Sequence, residues 1–212
     1  MRFVCIMFFF ISATVLARPV SYPGGWTLMQ MNQYDLQKVH LHYSPSAKWS
    51  LGYKGELVKG SHIQFHGLQH NLLLKRWNNK HSQGNFYLQS AIGLTFSDEV
   101  KRQVDWGGFS GVAIDWENRR WFVSYASRFV KYNSVIEKIE HSGRIGFAPY
   151  LGDYGDLHTW LMVQADYQTK HSTINDHSIT ILPLVRFFKR VYLIEVGSNF
   201  NQHFLFNLIL RF

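Results

Sequence analysis

Histidine is the residue type in this chain with the most chemistry to offer, and its placement sets the first questions. Eleven histidines occur in 212 residues. His40 and His42 stand two apart, and His62, His66 and His70 stand at intervals of four. On an extended strand these even spacings keep each set on one face, where imidazoles are suited to ligating a transition metal. Residues four apart on a strand are about 13 Å apart, so His40, His42, His62 and His66 make a metal site only if neighbouring strands bring them together. His42-Tyr43-Ser44 also has the spacing of a base and a hydroxyl nucleophile side by side on one strand face. His141-Ser142, His171-Ser172 and His177-Ser178 are adjacent pairs, which a strand sends to opposite faces. Gly152-Asp153-Tyr154-Gly155-Asp156 has two carboxylates and the residues of a turn, without the ligand pattern of a calcium loop.

The charged residues form a second pattern. Lys54, Glu56, Asp115, Glu117, Arg128, Glu140, Arg144, Asp166, Arg186, Glu195 and Arg211 share the polar parity of their segments. Isolated charges on an enclosed face are costly, so this set predicts ladders of paired charges across neighbouring strands.

The elements that must carry these residues are strands. Apolar and polar residues alternate through nearly the whole chain, and no stretch holds a 3.6-residue period. Val39, Leu41 and Tyr43 oppose Lys38, His40 and His42; Trp49, Leu51 and Tyr53 oppose Ser50, Gly52 and Lys54. Ile63 and Phe65 are assigned to the apolar face against His62, Gln64 and His66. Segments continuing to Phe212 bring the total to twelve, or ten if two short ones are irregular. The polar parity is crowded with small residues such as Gly52, Ala91, Gly93, Gly111, Ala113 and Gly146, while long apolar side chains take the other. A closed barrel has less room inside than outside, so this size asymmetry predicts an all-β, closed, antiparallel up-and-down transmembrane barrel with its apolar face in lipid. Tyr43 and Trp49, Trp116 and Trp121, and Phe187 and Tyr192 flank three alternate turns with outward parity, which predicts an aromatic girdle at the periplasmic interface.

The final ten residues supply a resemblance. Phe204, Phe206, Leu208, Leu210 and Phe212 form one apolar face that stops on an aromatic residue. This is similar to the C-terminal signal of bacterial outer-membrane β-barrels, whose closing strand is read by the barrel assembly machinery. Gly25-Trp26-Thr27-Leu28-Met29-Gln30-Met31-Asn32 and residues 152–162 also resemble a group of Gram-negative exported proteins to which no activity is attached. Some outer-membrane lipid hydrolases carry a His-x-Ser pair that His42 and Ser44 resemble, but Pro45 departs from that pattern. In those enzymes the work is done at the lipid rim, whereas Ser44 has lumen parity near the periplasmic turn.

Arg2 followed by the apolar run Phe3 to Ile11 and the small residues ending at Ala17 reads as a signal peptide, 1–17, with residues 18–212 forming one barrel domain. The run falls short of the roughly 20 residues that span a bilayer. Cys5, the only cysteine, leaves with it, which removes disulfide and thiolate chemistry from the mature chain. Aromatic and charged residues each make up 17%, a balance suited to a lipid-facing wall. The formal charge of +8 falls by one with Arg2. Export argues against nucleic acid, leaving lipid and lipopolysaccharide as the countercharge. The expectation is a non-enzymatic barrel of the cell outer membrane, without a cofactor, acting as a narrow channel for a small solute or ion or as a structural component. A lipid- or lipopolysaccharide-modifying hydrolase and a metal-linked barrel using lumen histidines are the alternatives.

Overall fold

The structure, a computed structural model, describes residues 18–97, 103–132, 136–153, 155–170, 177–199, 201 and 203–212. The signal peptide expected over residues 1–17 lies outside them. Twelve strands form among the described residues: β1 (Gly25–Asn32), β2 (Leu36–Ser46), β3 (Trp49–Val58), β4 (Ile63–Asn78), β5 (Ser82–Ser97), β6 (Gln103–Asn118), β7 (Trp121–Tyr132), β8 (Ile136–Phe147), β9 (His158–Lys170), β10 (His177–Lys189), β11 (Tyr192–Ser198) and β12 (Phe204–Arg211). Each pairs antiparallel with its sequence neighbours, and β1 pairs with β12, closing an up-and-down barrel with no free edge. Closure satisfies every ladder from within, which is what a sheet needs in lipid.

The closing seam includes Phe212. Thr27 faces Arg211 in the β1–β12 register, and beyond it Phe212 N–H donates to the Trp26 carbonyl at 3.1 Å while Trp26 N–H donates to the Phe212 carbonyl at 2.7 Å. The Phe212 ring is exposed on the outer wall. Deleting Phe212 therefore removes two backbone hydrogen bonds, about 1–3 kcal/mol together, and the ring's place in lipid. The expected result is a lower yield of barrel whose gel mobility shifts on heating; an unchanged yield would contradict this account of the seam.

Side chains divide by parity between lipid and lumen. Phe204, Phe206, Leu208 and Leu210 point out from β12, while Leu205, Asn207, Ile209 and Arg211 are buried inside. The outer wall exposes long apolar side chains such as Ile92, Trp106 and Ile181. Trp26, Tyr43, Trp49, Trp116, Trp121, Phe187 and Tyr192 all lie on the outside at the rim where the chain's described ends meet, with Trp26 and Tyr43 ring centroids 5.2 Å apart.

The first part of β4 departs from the expected parity. Phe65 is the register partner of Glu56 and so shares its inward face. Ile63 and Phe65 are fully buried inside, and Gln64 and His66 point outward. Alternation distinguishes two faces without saying which is the core, and here the lumen takes the apolar set. Phe65 stacks on Tyr132 at 4.8 Å, and Ile63, Phe109 and Val130 complete an apolar cluster inside the barrel. A second internal cluster joins Phe122, Ala148, Trp160, Met162, Leu182, Leu184 and Leu205. Much of the interior is thus a packed core.

Candidate functional site

Between these clusters the lumen holds networks of charge, each built from strand register. Arg128 on β7 and Glu140 on β8 are register partners, so they face inward side by side, with Arg128 Nε donating to Glu140 Oε2 at 2.5 Å. The same guanidinium reaches across the interior to Glu56 on β3, with contacts of 2.8 and 3.2 Å. Tyr132 O–H donates to Glu56 at 2.8 Å, Lys54 stands 3.4 Å from it, and Lys138 stands 2.8 Å from Glu140. Arg128 also lies over the Phe109 ring, 4.9 Å from its centroid. The result is a bar of side chains joining opposite walls toward the rim away from the described chain ends.

The second network lies nearer the rim that carries the girdle residues. Arg186 and Glu195 are register partners on β10 and β11, and Glu195 and Asn207 are partners on β11 and β12. Arg186 Nε donates to Glu195 at 2.7 Å, Asn207 Nδ2 at 2.6 Å, and Arg144 reaches in from β8 at 3.2 Å. Glu195 is only 1% exposed. Asn85 donates to Asp115 at 2.6 Å, and Gln164 donates to Asp166 at 2.5 Å. Lys38 and Lys138 also belong to the inner face; Lys38 is the register partner of Glu56, a pairing the alternating pattern already contained.

A third feature was not anticipated from the sequence. Residues 18–21 fold into the barrel mouth at the girdle rim. Arg18 is ion-paired with Glu117, Ser50 Oγ donates to the Pro19 carbonyl at 2.8 Å, and Asn71 Nδ2 donates to the same carbonyl at 3.2 Å. Val20 is 2% exposed, and Ser21 N–H donates to Ser44 Oγ at 3.0 Å. Pro19 limits the backbone and lacks an N–H, so its carbonyl is its only backbone group needing a partner. Nothing in residues 18–24 alternates, and the partners are isolated polar residues on four strands, β2, β3, β4 and β6, so the alternating pattern does not reveal it.

The histidines do not converge. His40 and His42 point into the lumen with ring centroids 4.5 Å apart. His66 points out through the opposite face of the wall, where its Nδ1 lies 2.6 Å from the Tyr53 hydroxyl. His62 sits at a turn with φ 46°, just after a 3-10 turn at Lys59–Ser61. The four-histidine metal arrangement is therefore corrected: the barrel wall separates its members, because β4 has the reverse parity. Among the described residues no group of three or more His, Cys, Asp or Glu side chains is placed to hold a metal ion.

His42 and Ser44 share the inner face, but Ser44 Oγ is engaged by Ser21 N–H and neither His42 ring nitrogen has a protein hydrogen-bond partner. Both residues are fully buried, away from lipid. As a lipid-directed nucleophile and base the pair is corrected on both counts, contact and access. Asp156 Oδ2 accepts from Asp153 N–H at 2.9 Å, a local turn hydrogen bond. On the outer wall Tyr125 and His141 repeat the Tyr53–His66 geometry at 2.8 Å.

No family model matches the chain, and no curated protein matches it. Solved structures do share its architecture. A KdgM porin in complex with disordered oligogalacturonate superimposes with a TM-score of 0.51 at 12% identity, covering 89% of this chain and 98% of that one. LpxR from Salmonella typhimurium gives a TM-score of 0.50 at 8% identity, covering 89% of this chain and 99% of that one. At these identities the likeness shows the fold: the chain has the closed twelve-strand architecture of outer-membrane β-barrels, with an apolar outer wall.

Proposed function

We propose that this barrel is a non-enzymatic, constricted channel for small solutes or ions, with outer-membrane lipid and lipopolysaccharide against its wall and β12 presented to the barrel assembly machinery. The observation that carries the reading is the Glu56–Arg128–Glu140 bar, which links opposite walls and narrows any path along the axis. A wide, freely diffusing pore is incompatible with such a bar, whereas a balanced set of fixed charges suits selection of small solutes. The overlap with a porin supports the architecture this reading needs, and the chain-end segment 18–21 would add a second constriction at the other mouth.

Planar-bilayer recording tests it. The parent should show small conductance steps, and Arg128→Ser should enlarge them several-fold. That variant should still fold, because Glu56 keeps Lys54 and Tyr132 and Glu140 keeps Lys138. Absence of conductance in both proteins would overturn the channel reading and leave a structural role. The hydrolase alternative draws on a different observation, the outward Tyr53–His66 pair beside Gln64, Leu94 and Phe96. It requires lipid hydrolysis by the parent that His66→Ala abolishes and Arg128→Ser preserves.

A further inference from the structure

We propose that the inner face where β2, β1 and β12 meet is a binding site for a small oxyanion, a phosphate or a carboxylate, held by Arg211, Thr27 and His42. The register puts these residues in a row: Thr27 is the partner of His42 on one side and of Arg211 on the other. Register partners present their side chains on the same face, so the guanidinium, hydroxyl and imidazole line one patch of lumen wall. Thr27 and His42 are fully buried and Arg211 is 6% exposed.

This patch gathers several unmatched polar atoms around one buried guanidinium. Arg211 Nη2, Thr27 Oγ1, both ring nitrogens of His42 and the Nε2 of neighbouring His40 have no hydrogen-bond partner in the protein. The other guanidiniums of the lumen named above each have a carboxylate: Arg128 has Glu56 and Glu140, Arg186 and Arg144 share Glu195, and Arg18 has Glu117. Arg211 has no carboxylate partner among the described residues. The acid whose field reaches it, Glu117, is already held by Arg18, whose own positive charge also reaches Arg211. A buried charge without a countercharge is costly, and the groups around it share one complementary ligand chemistry. A guanidinium is suited to gripping two oxygens of one oxyanion, and a hydroxyl and an imidazole N–H can donate to further oxygens.

A metal cation is the competing occupant for a pair of imidazoles. Arg211 on the same face repels it, and among the described residues no carboxylate completes a ligand set there. The site stands on this local geometry and does not depend on conduction, so it can be tested apart from the channel reading.

The test uses the full mature chain folded in detergent. The temperature at which the barrel loses its heat-shifted gel mobility is followed with added sodium phosphate, sodium acetate or sodium chloride at matched pH and ionic strength. Phosphate, acetate or both should raise that temperature saturably where chloride does not; phosphate alone would assign the site to phosphate, acetate alone to carboxylates. Calorimetric titration should give a single site, weakened about tenfold or more in Arg211→Gln, the scale expected when hydrogen bonds to a charged group are lost. Thr27→Val keeps the side-chain shape and removes only the hydroxyl, so it serves if Arg211→Gln does not fold, and it should weaken binding measurably. Equal effects of all three salts on the parent would overturn the proposal. So would undiminished oxyanion binding in Thr27→Val together with Arg211→Gln, or in Thr27→Val alone where Arg211→Gln yields no barrel.

Discussion

Glu195→Ala is expected to lower the unfolding free energy of the barrel by about 3–5 kcal/mol, the scale seen when one partner of a buried ion pair is removed. Glu195 is a single carboxylate serving three donors: Arg186 from its register partner, Arg144 from β8, and Asn207 from the closing strand. Its loss leaves two guanidiniums facing each other with no intervening negative charge, one of them 2% exposed and lying over the Phe122 ring. Glu195→Gln should cost less, because an amide oxygen still accepts from one donor. Urea titration of the folded barrel, followed by tryptophan fluorescence, reads the difference. A loss below about 1 kcal/mol for the alanine variant, the range of exposed pairs, would mean that lumen water solvates the arginines.

The legible and illegible parts of this molecule separate on physical grounds. Strand number and closure could be read because lipid and lumen impose opposite demands on alternate residues, as at Val39 against His40 or Ile194 against Glu195. The same rule placed Glu195 and Arg186 on one face. It could not show that Arg144, rather than another cation, would complete the group, since contacts across a lumen depend on barrel dimensions that no single strand encodes. It failed outright at Phe65 and His66, where the interior is apolar and the outside polar, because alternation carries no sign. Trp160-Leu161-Met162-Val163 shows a related limit: a continuous apolar run has both faces apolar, and Trp160 and Met162 are internal core. The fold of residues 18–21 into the mouth was beyond pattern reading, since its partners Ser44, Ser50, Asn71 and Glu117 are drawn together only by closure.

The small inward residues do more than relieve crowding inside the barrel. Gly93 does something more specific, together with Gly67, which the alternating pattern had not placed on the inner face. Gly67 and Gly93 are register partners in the β4–β5 hairpin, whose strands are each 16 residues long. A Cβ built at Gly93 would lie 2.1 Å from the His66 carbonyl oxygen and 2.4 Å from the Gly67 Cα. A Cβ at Gly67 would lie 2.4 Å from the Ile92 carbonyl oxygen and 2.6 Å from the Phe65 ring. The two backbones therefore approach on the concave side more closely than any side chain permits, as at a glycine corner where a sheet bends to close. Gly93→Val should force them apart, displace Phe65 from its stack on Tyr132, and shift the strand that carries the outward His66. The clash is with backbone, which cannot rotate away, so the cost should exceed the 1–3 kcal/mol typical of overpacking. The expected result is near-complete loss of barrel with heat-shifted mobility, with Gly93→Ala impaired to a lesser degree. Gly60, whose added Cβ would meet nothing within 4 Å, supplies the control: Gly60→Ala should assemble as the parent does. Normal assembly of Gly93→Val would show that the hairpin closes without this corner, and the account of the small inward residues would revert to simple relief of crowding.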